Sequence, residues 1–581
     1  MIKKLAASIR EYKKQTILTP IMMAMEVVME VIIPIIMGKM IDDGINSGNL
    51  TVVIVCGIVL AISCIASLIF GVLGAKFGAE GMAGFGRNLR HDMFYKAQTF
   101  SFANIDKFST ASIITRLTTD VSSVQNAYSM LLRMAVRGPL TAVFATVMGF
   151  TISWKLSLIF VAIIPVLVCG LLFISSHVHP IFGRMFKEMD KMNRVVQENL
   201  HGVRVVKSFV RKDFEDQKFD EASGSVYKLN LKAERMLAFN GPFMSCCMYV
   251  CTLLISYLGA KMIIGSMGTT LTSGDLTALI AYATQILGSL MMLGMIYVML
   301  TMSRAAGERI IEILDEEVDI VSPENPVMQV KDGSVDFENV SFSYSKDPAN
   351  CCLTDINIHI NSGETVGILG GTGSSKTSLV QLIPRLYDVT GGTVKVGGVD
   401  VREYDIPTLR DSVAMVLQKN ELFAGTIYQN LRWGNENATD EEVEHAAKLA
   451  QADDFIRNFP EGYNTFIEQG GTNVSGGQKQ RLCIARAILK KPRILILDDS
   501  TSAVDTRTDA LIRKAFMDEI PNTTKFIIAQ RVASVEDADK IIVLDGGKVN
   551  GFGTHEELLA TNTIYREVYE TQKKGGAEDD E

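Results

Sequence analysis

The chain carries no excess of basic charge. Its 57 lysines and arginines stand against 65 aspartates and glutamates, a formal net charge of −8, and no basic stripe with interleaved aromatics runs through it. A surface that reads nucleic acid needs such a stripe to neutralise phosphates, so no nucleic-acid partner is expected. Nine cysteines are spread too thinly for a disulfide framework: Cys56, Cys64, Cys169, Cys246, Cys247 and Cys251 fall in apolar runs, and Cys351, Cys352 and Cys483 fall in the other half with no metal-ligand spacing. The start of the chain lacks a small-residue cleavage site after a short apolar core, so no removed signal peptide is expected. Neither half of the 581 residues contains an obvious second copy of itself or of the other.

Long apolar runs are present, and they are confined to the first half. Six candidate spans cover approximately Ile17 to Met40, Val52 to Leu73, Leu140 to Trp154, Leu156 to Ile174, Phe243 to Ile264 and Leu276 to Met299. A hydrocarbon core about 30 Å thick needs about 20 residues of helix, so the two adjacent runs from Leu140 onward are two spans joined by a tight turn near Ser153. Lysine and arginine crowd Met1 to Gln15, Arg87 to Arg137 and Arg184 to Arg235, whereas the loops Ile41 to Leu50 and Ser266 to Asp275 hold none. The positive-inside rule then puts both termini in the cytoplasm. After a boundary near residues 305 to 330 the pattern changes to short strands alternating with helices, which predicts a soluble α/β domain.

Within that domain the run Thr365-Val366-Gly367-Ile368-Leu369 is followed by Gly370-Gly371-Thr372-Gly373-Ser374-Ser375-Lys376-Thr377 and a helix-like segment from Ser378. Strand, glycine-rich turn and helix start make a phosphate cradle: backbone N–H groups and the positive helix end face the phosphates, Lys376 reaches the β/γ oxygens, and Thr377 can ligate Mg²⁺. The chain is therefore expected to bind a nucleoside triphosphate. A second apolar run, Ile494-Leu495-Ile496-Leu497, ends in Asp498, placed to hold Mg²⁺, with Asp499 next to it as the candidate to polarise an attacking water. Between them, Val474-Ser475-Gly476-Gly477-Gln478 precedes a helix; alone it reads as a loop and cap, and beside the other two elements as a second phosphate-binding helix start.

In combination these motifs resemble the ABC transporter family, in the half-transporter arrangement of exporters, over nearly the whole length. The resemblance implies an α-helical transmembrane domain of six spans over residues 1–310, a linker over 311–330, an α/β P-loop nucleotide-binding domain of ABC type over 331–570 and an acidic tail over 571–581. It implies ATP and Mg²⁺ as ligands. Tyr344 resembles the aromatic that stacks on adenine, Gly370 to Thr377 the Walker A loop continuing into Ser378, and Gln418 the Q-loop glutamine that senses Mg²⁺. Val474 to Gln478 resembles the signature, Ile494 to Asp498 the Walker B strand, and Ser502-Ala503-Val504-Asp505 the D-loop. Such domains pair head to tail, so a second chain completes each site.

Three positions depart from the family pattern. Asp499 stands where active members have glutamate, Gln530 stands where they have the switch histidine, and Ser375 replaces the glycine before the Walker lysine. Asp499 is shorter by one methylene, and Gln530 can hydrogen-bond phosphate without becoming a cation. Ser375 is expected to be tolerated on a helical backbone, with weaker consequences. Together the departures imply a site that binds ATP and hydrolyses it poorly, in a heterodimer whose partner supplies the glutamate and histidine. Harmless drift in a working site, a homodimeric exporter with slow turnover, and a non-pumping regulatory ATP sensor are the alternatives.

Phe102 to Thr110, before Arg116-Leu117-Thr118-Thr119-Asp120, resembles the first coupling helix, and Val210 to Phe219 resembles the second. Glu26 and Glu30 lie one turn apart in the first span; they line a cavity for cationic substrates, pair with a partner helix, or sit closer to the membrane surface. Met291, Met292, Met295, Met299 and Met302 make the last span adaptable, which suits a promiscuous multidrug cavity or ordinary packing. The expected product of this sequence is a multi-pass exporter subunit in a bacterial plasma membrane, in contact with membrane lipid, that moves small amphipathic drug, lipid or peptide molecules out of the cytoplasm.

Overall fold

The computed structural model describes residues 1–500 and 504–578. The chain divides into two compact units, Met1–Thr99 with Ser109–Glu316, and Phe100–Phe108 with Glu317–Glu581.

The first unit is helical. Six helical stretches are long and apolar enough to cross a membrane: α1 (Arg10–Asn46), α2 (Leu50–Gln98), α3 (Thr110–Ile152), α4 (Trp154–His201), α5 (Lys212–Ser266) and α6 (Ser273–Asp315). Five of the expected spans each lie within one of them; the third, Leu140 to Trp154, overruns the break and reaches the first residue of α4, because the helix ends at Ile152 and the break is a single extended residue, Ser153 (φ −153°, ψ 109°). The helices are far longer than a bilayer requires. At 1.5 Å rise per residue, the 49 residues of α2 reach about 70 Å, of which about 30 Å matches hydrocarbon. The remainder is the polar extension that the sequence places in its basic segments.

Small side chains and shared polar contacts hold these helices together, since lipid supplies little hydrophobic force between them. In the apolar core, Val27 and Val31 of α1 meet Ala145 of α3 and Leu279, Tyr282 and Ala283 of α6. The buried Tyr282 hydroxyl donates to the Val31 carbonyl at 2.7 Å. Glu26 and Glu30 are bound by one residue of α3: Arg137 lies 3.2 Å from Glu26 and 2.5 Å from Glu30. Of the three sequence alternatives for these carboxylates, pairing with another helix is the arrangement present. Met291 and Met295 are exposed on α6, and the Met302 side chain lies outside the described residues.

Between α2 and α3, the helix Phe102–Phe108 belongs to the second unit. There the Tyr387 hydroxyl donates to Asp106 at 2.7 Å, the Phe102 and Tyr387 rings meet edge-on at 6.1 Å, and the Asn104 amide donates to the Glu317 carbonyl. After it, Arg116 donates to Glu312, and Asp120 accepts from Arg309, so both ends of that five-residue turn are tied to α6. The second expected coupling segment is organised differently from a single helix over Val210 to Phe219. A short helix, Val203–Ser208, ends at Val210 in a left-handed conformation (φ 53°), and a new helix begins at Lys212. The Arg211 N–H closes on the Val206 carbonyl at 2.9 Å, which ends the first helix as a tight helix terminus does.

The second unit contains a four-stranded antiparallel sheet in the order β2-β1-β4-β5, from β1 (Val335–Phe342), β2 (Leu353–Ile360), β4 (Gly391–Val396) and β5 (Val399–Asp400). A six-stranded sheet runs β10-β9-β3-β8-β7-β6, from β3 (Thr365–Gly370), β6 (Val413–Val416), β7 (Ile494–Asp498), β8 (Thr524–Ile528), β9 (Lys540–Asp545) and β10 (Lys548–Gly553). Strands β7 and β8 are buried along their whole length, as expected of parallel strands covered on both faces. Only β10 runs antiparallel in this sheet.

Candidate functional site

The strand order creates the site. In the register of the parallel sheet, Ile528 of β8 sits between Ile368 of β3 and Asp498 of β7, and β6 flanks β7 on its other side. Neighbouring strands lie about 4.8 Å apart, so the segments leaving their carboxyl ends come out side by side. Those segments carry the loop after Gly370, Gln530, Asp498 with Asp499, and Gln418. They line one cavity of about 570 Å³, together with every residue from Gly370 to Ser378.

The loop turns sharply from β3 into helix α7 (Lys376–Gln381). A Cβ on Gly370 would fall 2.3 Å from the Leu544 carbonyl oxygen, so only glycine fits there, and Gly373 adopts φ 83°. Ser375 corrects the helical backbone expected for it: it is left-handed, at φ 68° and ψ 28°. Outside glycine that conformation costs about 1 kcal/mol, because Cβ crowds the next carbonyl. The substituted serine thus occupies a strained position. The alternation of backbone hands is one that turns successive N–H groups into an anion-binding concavity.

Lys376 donates to the Gly370 and Gly371 carbonyls at 2.8 and 2.9 Å. Burial lowers the ammonium below its usual range, against the pull of Asp499 and Asp498. Thr377 Oγ1 donates to Asp498 Oδ1 at 3.1 Å, while Asp498 Oδ2 is buried without a hydrogen-bond partner among the described residues. Burial raises the Asp498 carboxyl above the usual carboxylate range, and the charge of Asp499 adds to it. A hydroxyl, an amide oxygen and a buried carboxylate oxygen with an open lone pair are the hard ligands Mg²⁺ prefers when phosphates supply the remainder. Thr377, Asp498 and Gln418 fit that ion.

Asp499 and Gln530 are joined: Gln530 Nε2 donates to Asp499 Oδ2 at 2.9 Å. The Asp499 carboxyl is raised by burial, an effect opposed by its hydrogen bonds with Gln530 and Gln418 and by the nearby Lys376. Its backbone is also left-handed (φ 48°), with the N–H donated to the Ile528 carbonyl.

Two groups of expected residues stand elsewhere. Tyr344 does not line the cavity; its hydroxyl shares a 2.8 Å hydrogen bond with Ser378, and its half-exposed ring stands edge-on to Tyr387 at 5.1 Å. The stretch Ser475 to Gln478 also lies outside this cavity. Ser475 caps helix α8 (Gly476–Leu489), accepting the Gln478 N–H while Gln478 accepts the Ser475 N–H, and no acidic residue stands in the first turn. The N-terminus of α8 therefore presents unopposed positive partial charge at an exposed serine and glycine. Asp505 caps the next helix by accepting the Thr508 N–H, whereas Ser502 and Ala503 lie outside the described residues.

Ile564, Tyr565 and Val568 of helix α9 (Thr563–Glu578) also line the cavity, and sequence reasoning passed over them. Their helical spacing identifies one apolar face. Nothing local says which surface that face meets.

Comparison with known proteins places this geometry in a family. Residues 16–290 match the ABC transporter transmembrane region and residues 353–502 match the ABC transporter domain. The chain is 35% identical to the uncharacterized ABC transporter ATP-binding protein YfiB of Bacillus subtilis (strain 168), over 98% of each chain. It is 32% identical to the probable multidrug resistance ABC transporter ATP-binding/permease protein YheI of the same organism, over 84% of this chain and 83% of that one. A solved bacterial Atm1-family ABC exporter with ATP bound shares the fold, with a TM-score of 0.79 at 24% identity over 98% of each chain. The protein is a multi-pass integral membrane protein with a cytoplasmic nucleotide-binding domain, and it belongs to the ABC transporter family, with a transmembrane region followed by its ATP-binding domain in an exporter-type fold.

Proposed function

We propose that this chain is the ATP-retaining subunit of a heterodimeric exporter. Its own Walker site would bind Mg²⁺–ATP and hydrolyse it slowly, while its signature would complete the faster site of a different half-transporter. The hydrogen bond from Gln530 to Asp499 inside the phosphate cavity carries the reading. A general base must bring its carboxylate within about 3 Å of the attacking water, and Asp499 is shorter than the family's glutamate by about 1.5 Å. The bond from Gln530 occupies one of its oxygens, and Gln530 has no proton to lose or gain near neutrality.

The residues have distinct roles in this reading. Gly370 to Ser378 cradle the phosphates, Lys376 meets the β/γ oxygens, and Tyr344 stacks on adenine beside the loop. Thr377, Asp498 and Gln418 would hold Mg²⁺, which supplies charge neutralisation to in-line attack of water on the γ-phosphate. Ser475, Gly476, Gly477 and Gln478 at the start of α8 would meet the γ-phosphate of ATP on the partner. Binding of two ATP molecules closes the paired domains and opens the membrane half outward, and hydrolysis at the partner's site resets it.

The domain division at residues 310 and 330 belongs to the same proposal, as does a small amphipathic cargo. The multidrug description of YheI and the exposed methionines of α6 support that cargo. The bacterial relatives support a bacterial plasma membrane. ATPase assays of the purified chain alone, and together with a co-expressed second half-transporter, test the proposal. Slow turnover alone and at least about tenfold faster turnover in the mixture are expected. Brisk hydrolysis by the chain alone would end the reading.

A further inference from the structure

The last described helix reaches the residue that replaces the switch histidine. On α9, Gln572 follows Val568 by four positions, which puts both on one helix face, and Val568 lines the nucleotide cavity. The Gln572 side-chain amide makes two hydrogen bonds to one backbone segment. Its Nε2 donates to the Gln530 carbonyl at 2.9 Å, and its Oε1 accepts the Val532 N–H at 2.8 Å. Only one orientation of the amide satisfies a carbonyl and an N–H at once, so the donor and acceptor ends are determined by their partners.

These bonds span Arg531 and hold the carbonyl side of Gln530, whose side chain faces the cavity and donates to Asp499. Val532 is buried, so its end of the segment is anchored in the core. The helix is anchored as well: Tyr565 is 1% exposed and its hydroxyl shares a 2.6 Å hydrogen bond with His555. Gln572 itself is exposed. Its two bonds therefore join a packed helix to a catalytic-site loop without being part of the packing themselves.

We propose that Gln572 is a positioning residue for Gln530, and that α9 thereby sets how strongly the cavity prefers a nucleoside triphosphate over a diphosphate. This rests on the reading of Gln530 as the group that faces the γ-phosphate. A misplaced loop moves the Gln530 amide away from that phosphate while leaving the α/β-phosphate cradle of Gly370 to Thr377 intact. The loss falls on triphosphate affinity alone.

Equilibrium binding of Mg²⁺–adenylyl imidodiphosphate, a non-hydrolysable ATP analogue, and of Mg²⁺–ADP to the full-length chain tests this. Four variants are compared with the unsubstituted protein: Gln572→Ala, Gln572→Glu, Gln530→Ala and the Gln530→Ala/Gln572→Ala double substitution, with Lys573→Ala as an exposed neighbouring control. Gln572→Ala is expected to weaken the triphosphate analogue by about 3- to 10-fold with ADP affinity unchanged, the scale of one or two lost hydrogen bonds. Gln572→Glu keeps the acceptor for the Val532 N–H and loses the donor to Gln530, so it should fall between. In the Gln530→Ala background, Gln572→Ala should add nothing, because residues that act as a unit are not additive. If Gln530→Ala lowers the triphosphate preference and Gln572→Ala does not, or if the two effects simply add, positioning by Gln572 is overturned. If Gln530→Ala itself leaves the preference unchanged, the γ-phosphate reading of Gln530 fails, and this inference fails with it.

Discussion

At the scale of single residues, the proposed function makes Asp499 and Gln530 decide how the nucleotide site behaves. Lengthening the carboxylate and restoring an imidazole, by Asp499→Glu with Gln530→His, should raise ATP turnover of the purified chain by about tenfold or more, since a well-placed general base contributes at least that. Steady-state phosphate release measures it, and unchanged turnover would show that the slow step lies elsewhere. Ser375 offers a cleaner reading of backbone strain. Glycine and alanine both lack its hydroxyl, but only alanine keeps a Cβ in the left-handed conformation at φ 68°. Ser375→Gly should therefore be about 1 kcal/mol more stable than Ser375→Ala in thermal or denaturant unfolding.

Asp498 carries a pH dependence whose sign follows from burial. Its folded carboxyl is held above the unfolded value of about 4, so as pH falls the folded state takes up a proton before the unfolded state does. The destabilisation from its buried charge is thus fully present near neutral pH and fades as pH drops through the raised value. Asp498→Asn should melt higher than the unsubstituted protein at pH 7, with the gap narrowing in acid, and should lose the stabilisation that Mg²⁺–ATP confers. The place of Asp498 and Asp499 at the end of a buried strand was legible in the sequence, because an apolar run ending in two aspartates implies such a strand and its end. The left-handed backbone of Ser375 was not, because a dihedral angle is set by how the loop closes between β3 and α7.

At the scale of elements, the first and third membrane helices are joined by charge. Two carboxylates of α1 share the single guanidinium of Arg137, and Glu26 Oε2 is buried without a hydrogen-bond partner among the described residues. Removing the cation leaves both acids unpaired in a poorly solvated place, whereas removing an acid leaves the cation one partner. Arg137→Met should lower the apparent melting temperature in detergent by the equivalent of about 2 kcal/mol, a value reduced for the partial exposure of Arg137 and Glu30. Adding Glu26→Gln and Glu30→Gln to Arg137→Met should recover most of the loss. Failure of that rescue would mean that Arg137 supports α3 by packing alone. The spacing of Glu26 and Glu30 on one face was visible from the helical period; their partner, more than 100 positions away, was not.

At the scale of the whole molecule, one chain holds a Walker site in one place and a signature helix outside it. On the proposed reading, Ser475→Ala in this subunit should cut ATP hydrolysis of a heterodimer by about tenfold or more, while Lys376→Ala should leave most of it, because the faster site would borrow only the signature from this chain. ATPase assays of the co-purified complex decide between them. The reverse pattern would assign the working Walker site to this subunit. The sequence alone determined the six membrane spans, the change to an α/β domain and the chain positions of the phosphate loop, Gln418 and Asp498, since hydrophobic period and motif spacing are properties of contiguous residues. Only the tertiary structure decided that β8 lies between β3 and β7, which gathers Gln418, Asp499 and Gln530 around one cavity. It alone seated α9 against Gln530 and Arg137 between two glutamates. Those contacts join residues far apart in the chain, and their pairing is selected by the packing of the completed fold, which no local pattern encodes.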